Sequence, residues 1–117
     1  MNDQKKALNF YQQSLALRQE IGFKPFIPAS YFSLGLVYAN LGMQELAIEA
    51  FTKSIEHATE IQFVRYQCDP YLNLGNLFLS KKNIKKAREY YSKALNIATL
   101  HNYSKGIDAA SKKLNGL

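Results

Sequence analysis

The chain has 117 residues, 47% of them hydrophobic, with a net charge of +6 and one cysteine, Cys68. That length suffices for one modest domain. A lone cysteine excludes an intramolecular disulfide, so a reducing, cytoplasmic setting is the expected localisation. No apolar run approaches the roughly 20 residues a membrane-spanning helix needs, and the polar opening Met1-Asn2-Asp3-Gln4-Lys5-Lys6 lacks the apolar stretch of a secretory signal.

Apolar residues recur with helical period, and no alternating strand pattern of useful length appears. The first predicted helix, residues 3–21, carries the stripe Ala7, Phe10, Tyr11, Ser14 and Leu15. Gly22 and Pro25 separate it from a second helix over 28–41. There Tyr31, Leu34, Gly35 and Tyr38 fall at i, i+3, i+4 and i+7, one stripe of a helix. Gly42 ends that segment, and the third helix, 44–62, carries Ala47, Ala50, Phe51, Ser54 and Ile55. The fourth, 69–81, repeats the second with Tyr71, Leu74, Gly75 and Phe78. Pro28 and Pro70 are expected in first turns, where a missing N–H is tolerated, and Asp69 is expected to be an N-cap. Lys81, Lys82 and Asn83 read as a polar turn into the fifth helix, 84–101, with Ala87, Tyr90, Tyr91, Ala94 and Leu95. A sixth, 104–115, closes the map with Ala109, Ala110 and Leu114. Six helices joined by short turns give an all-α fold of antiparallel hairpins.

Three phrases stand in register: A-L-N-F-Y-Q-Q-S-L from Ala7, A-I-E-A-F-T-K-S-I from Ala47 and A-R-E-Y-Y-S-K-A-L from Ala87, spaced by 40 residues each time. A period in that range indicates a stacked solenoid, an architecture used to hold other molecules. Gly35 and Gly75 each cost about 1 kcal/mol relative to alanine inside a helix. Their recurrence at one repeat position implies close approach of the paired helix, with Ala47 and Ala87 as the matching small residues.

Tyr31-x-x-Leu34-Gly35-x-x-Tyr38 followed by Ala47-x-x-x-Phe51, and Tyr71-x-x-Leu74-Gly75-x-x-Phe78 followed by Ala87-x-x-x-Tyr91, resemble the tetratricopeptide repeat (TPR) pattern, with tyrosine in the usual tryptophan place. The resemblance implies a right-handed α-solenoid. It departs from the family in two ways. The usual period of about 34 residues is exceeded by about six, and Thr59 and Thr99 stand where a proline commonly ends the second helix. Repeats of this longer kind look like those of bacterial signalling regulators and of polarity and kinesin light-chain adaptors. The expected organisation is one domain over 1–117. Residues 3–21 form the second helix of an incomplete repeat, 28–62 and 69–101 form two repeats, and 104–117 form a first helix or a cap. This out-of-phase layout is expected of a piece of a longer array, and it predicts a homodimer through the terminal helices.

Catalytic chemistry finds no foothold in the sequence. His57 and His101 lack partners at ligand spacing beyond Glu60, so no metal is expected. Cys68 has no nucleophile partner, the glycines form no phosphate loop, and no cofactor is implied. Binding is better supported, and the expected function is a non-enzymatic protein- or peptide-binding scaffold in a signalling or regulatory protein. In the family the first helix of each repeat lines the concave side. That places Phe32, Leu36 and Asn40, then Asp69, Leu72, Asn73 and Asn76, then Lys113, on a peptide-binding face, beside Ala29, Ser33, Ala39, Leu79, Ser80, Ala109, Lys112 and Gly116. Asparagine amides donate and accept, which suits a peptide backbone. Asn73 and Lys113 match two places of the family's chaperone-tail clamp, but Phe32 and Leu36 replace its first lysine and asparagine, which argues against it. The alternative is nucleic-acid binding through Lys81, Lys82, Lys85, Lys86 and Arg88, for which the exposed aromatics that stack bases are not evident.

Overall fold

The computed structural model describes residues 5, 6, 8, 9, 12, 13 and 26–117. Most of the first predicted helix, including Ala7, Phe10, Tyr11, Ser14 and Leu15, lies outside the described residues, as do Gly22 and Pro25. Residues 5, 6, 8, 9, 12 and 13 are helical. Beyond them run five helices: α1 (Phe26–Asn40), α2 (Gln44–Ile61), α3 (Val64–Ser80), α4 (Ile84–Leu100) and α5 (Ser104–Asn115). The described residues contain no strand.

Helices α1 to α4 end in the same way. Gly42, Gln62, Lys82 and Asn102 take left-handed backbone, with φ of 77°, 56°, 61° and 56°. The residue after each donates its N–H five residues back: Met43 to Tyr38 O at 2.9 Å, Phe63 to Ala58 O at 2.8 Å, Asn83 to Phe78 O at 2.9 Å, and Tyr103 to Ala98 O at 2.8 Å. This is the Schellman termination, which satisfies carbonyls the helix would otherwise leave bare. The left-handed positions fall at 42, 62, 82 and 102, so the backbone repeats every 20 residues although the side chains repeat every 40.

Such short turns fold neighbouring helices into hairpins, and each helix packs on the next. The backbones of α1 and α3, and of α3 and α5, also come together, whereas those of α2 and α4 do not. An inner row of three helices packed more closely than the outer pair bends the stack, with α1, α3 and α5 on the concave side.

Two expected boundaries are corrected. Helix α3 starts at Val64, not 69, so Asp69 is its sixth residue and no N-cap, and Pro70 lies inside it. Apolar burial extends N-terminal of the proline. The Tyr66 ring packs on Phe63 (5.0 Å) and Phe32 (5.6 Å), and Cys68 is fully buried. Helix α1 is likewise already helical at Phe26, ahead of the expected start at 28.

The helix-internal glycines mark a close contact, but the group they admit is an aromatic ring and not the alanine. A Cβ on Gly35 would stand 2.5 Å from the Phe51 ring, and one on Gly75 would strike the Tyr91 ring in the same way. Phe51, Tyr91, Ala47 and Ala87 are completely buried. Gly106 adds a third close contact, against Cys68, Tyr103 and Ala98. Buried polar groups bridge the same crossing in both repeats from opposite sides. Ser54 Oγ donates to Pro28 O at 2.8 Å, and 40 residues on, the Cys68 thiol donates to Ala94 O at 3.5 Å.

Candidate functional site

An open groove of about 310 Å³ lies on the inner face, where α1, α3 and α5 meet. Its apolar part is Phe32, Leu72 and Ala109; its polar part is Arg65, Asp69, Asn73, Tyr103 and Lys105. Phe32 and Leu72 are half-buried. Phe32 leans on the Phe51 and Tyr66 rings at 5.8 and 5.6 Å, and Leu72 packs against the buried Cys68–Ala94–Ala98–Ala110 cluster.

Asp69 anchors the polar half. The Tyr103 hydroxyl donates to both its carboxylate oxygens, at 3.2 and 3.4 Å, and Arg65 Nε stands 3.6 Å from Oδ2. Burial raises the Asp69 carboxyl above its ordinary range, against the opposing pull of Tyr103, Arg65 and Lys105. Burial, aided by the neighbouring Asp69 charge, pushes the Tyr103 phenol up to about 12. Asn73 Nδ2 donates to Asp69 O at 3.0 Å, which fixes the amide while leaving its oxygen and its other N–H for a ligand.

Of the residues expected on the binding face, Phe32, Asp69, Leu72 and Asn73 share this groove. Leu36, Asn40, Asn76 and Lys113 are exposed but do not line it. Asn76 Oδ1 already accepts from the Tyr91 hydroxyl at 2.5 Å. Arg65, Tyr103 and Lys105 escaped the sequence reading. Arg65 precedes the expected start of its helix, and Tyr103 sits in the turn before α5. Lys105 was legible, four residues before Ala109 on one helix face.

The cations of the basic segment, Lys81, Lys82, Lys85, Lys86 and Arg88, are all exposed. The Lys81 and Lys86 ammonium groups lie 5.2 and 5.0 Å from the Phe78 ring centre. Tyr91 is completely buried and Tyr90 half-buried between Tyr71 and Phe78. Cys68 is buried, and burial pushes its thiol up to about 12, which suppresses the reactive thiolate. Among the described residues no helix is long and apolar enough to cross a membrane.

Repeated helical hairpins curved around an inner groove define a solenoid scaffold. The tetratricopeptide repeat family model matches residues 28–58 and 69–99, together more than half of the chain. The protein belongs to the tetratricopeptide repeat family, whose members generally serve as protein–protein interaction modules. Comparison with curated proteins gives no match.

Proposed function

We propose that the protein is a non-catalytic module that holds an extended segment of a partner protein along its inner face. The carrying observation is the groove itself, where the apolar side chains of Phe32 and Leu72 adjoin the Asp69–Tyr103 pair, the cations Arg65 and Lys105, and the Asn73 amide. Apolar anchors would take alternate side chains of the segment, and the fixed amide would meet its backbone. Leu36, Asn40, Asn76 and Lys113 extend this face on either side.

Arg65→Ala and Lys105→Ala alter exposed side chains that carry no core packing. Each is expected to weaken a captured partner several-fold with an unchanged melting temperature. Unchanged binding in both variants and in their double would refute the inner-face assignment. Phe32→Ala is a poorer probe, because Phe32 also supports Phe51 and Tyr66.

A signalling or regulatory setting fits the family's use, and a single buried thiol fits a reducing cytoplasm. Self-association through the end helices belongs to the same proposal, and sedimentation across a wide concentration range tests it. The nucleic-acid alternative draws on five exposed cations, but the described tyrosines beside them offer bases little open face, since Tyr91 is buried and Tyr90 is stacked. Its signature would be a steep fall of RNA or DNA affinity with salt.

A further inference from the structure

Charge is sorted between the two ends of the stack. Antiparallel hairpins place the α1–α2 turn, the α3–α4 turn and the C-terminal end of α5 along one edge. Packing fixes the last of these, since Leu114 and Leu117 lie against the Phe78–Ala87–Tyr91 cluster beside the α3–α4 turn. Across residues 41–46, 81–86 and 112–117 this edge carries Lys81, Lys82, Lys85, Lys86, Lys112 and Lys113, all exposed, against one carboxylate, Glu45. Among the described residues no ion pair neutralises any of the six. The opposite edge, residues 60–66 and 100–108, balances Arg65 and Lys105 with Glu60 and Asp108. Apolar groups stand among the cations of the basic edge: Met43, Leu46 and Ile84 are 43%, 44% and 41% exposed. The second turn holds its cations on a fixed frame. Asn83 Oδ1 accepts from the Lys86 N–H at 3.2 Å, and the Lys81 and Lys86 ammonium groups share the Phe78 ring.

We propose that this edge seats the protein on a bilayer surface rich in anionic phospholipid. Clusters of about four to eight lysines and arginines hold a protein to the negative potential of such a surface. Long lysine side chains reach the headgroups, while aliphatic groups beside them enter the boundary with the acyl chains. Met43, Leu46 and Ile84 supply that apolar part. They also favour a bilayer over nucleic acid, which offers phosphates but rewards aromatic faces and not aliphatic tips. The protein docks and does not cross, since among the described residues no helix is long and apolar enough to span a membrane. The opposite edge also exposes Phe63 and Leu100, but its mixed charges give it no pull toward an anionic surface. The inner groove draws Arg65, Tyr103 and Lys105 from that opposite edge, so it stays clear of the bilayer and open to a partner.

The test sediments the full chain with phosphatidylcholine vesicles made with and without phosphatidylserine. The wild type is expected to pellet only with the phosphatidylserine vesicles, and less so as salt is raised. Lys82→Gln combined with Lys85→Gln is expected to weaken that binding about tenfold or more. Both lysines are exposed, so an unchanged melting temperature accompanies the loss. Leu46→Ser combined with Ile84→Ser is expected to weaken it several-fold. Leu100→Ser on the opposite edge and Arg65→Ala in the groove are expected to leave it unchanged, which keeps this surface distinct from the inner face. Folded wild-type protein that stays in solution with both kinds of vesicle would overturn the proposal. So would vesicle binding that survives the lysine pair, or that ignores the loss of Leu46 and Ile84 and so rests on charge alone. Capture of a single-stranded RNA oligomer with anionic vesicles left unbound would overturn it in favour of nucleic acid.

Discussion

The Tyr91 hydroxyl donates to Asn76 Oδ1 at 2.5 Å, and the ring behind that hydroxyl fills the space a side chain on Gly75 would need. One residue on α4 thus holds the notch in α3 and orients an amide on the exposed inner face. Gly75→Ala should therefore destabilise the fold. The gain of about 1 kcal/mol in helix propensity is outweighed by overpacking against a fully buried ring, which costs roughly 1–3 kcal/mol in addition. Gly35→Ala against Phe51 should behave alike, whereas Gly116→Ala, whose Cβ would meet only carbonyls at 3.5 and 3.6 Å, should be neutral. Urea unfolding midpoints check the set. Stability unchanged at Gly35 and Gly75 would mean that the helices need no notch.

The four left-handed turns make a prediction of opposite sign. Only Gly42 among them is glycine; Gln62, Lys82 and Asn102 hold the same backbone with a side chain attached. Left-handed backbone costs an ordinary residue on the order of 1 kcal/mol. Gln62→Gly and Lys82→Gly should each stabilise by about 0.5–1 kcal/mol, and Asn102→Gly by less, because asparagine tolerates this region. Gly42→Ala should destabilise. Thermal melts of the four variants give the ranking directly.

What was legible in the sequence follows from what side chains repeat. Tyr31 with Tyr71, Gly35 with Gly75 and Phe51 with Tyr91 are buried or half-buried pairs on fixed faces, so the helices and their pairing could be read from spacing alone. Gln62 and Lys82 carry no turn signature, so the 20-residue backbone period was invisible; hydrogen bonds of the main chain, not residue type, enforce it. Pro70 suggested a helix start because the covering apolar residues Phe63, Tyr66 and Cys68 fall outside the repeated stripe. That error hid Arg65. Tyr103 was hidden because it joins the groove from a turn, through a hydroxyl bond to a residue 34 positions away.

The Cys68 thiol and the Tyr103 phenol are expected to contribute to an alkaline loss of stability, alongside the Tyr91 phenol, which burial also raises. Both are raised in the folded state, Cys68 from 9.0 to about 12 and Tyr103 from 10.0 to about 12. A raised folded value favours the protonated form, so stability is fully present below pH 9 and is lost as pH rises from 9 toward 12. Each group contributes a slope on the order of 1 kcal/mol per pH unit in its window. Cys68→Ser keeps a donor for Ala94 O without ionising there and should flatten the fall that starts near pH 9. Tyr103→Phe should flatten the part above pH 10. Unfolding midpoints between pH 8 and 11 decide it, and superimposable profiles for wild type and both variants would discount the assignment.

Asp69 carries the same logic into the acid range. Burial raises its carboxyl even though Tyr103, Arg65 and Lys105 favour the charged form. Its contribution to stability is therefore present at low pH and lost as pH rises through the folded value, so at neutral pH the carboxylate is a cost. Asp69→Asn keeps an acceptor for Tyr103 and removes that cost. The variant should be as stable as the wild type or more so at pH 7, and its advantage should shrink as both are taken below pH 4. A charge held at a cost in stability makes Asp69 a candidate recognition residue of the proposed groove. If the groove holds a partner segment with a basic residue against Asp69, the stabilised variant should bind that partner more weakly. Calorimetric titration alongside the unfolding curves reads both effects on one preparation, and a variant that gains stability while binding unchanged would take Asp69 out of the recognition surface.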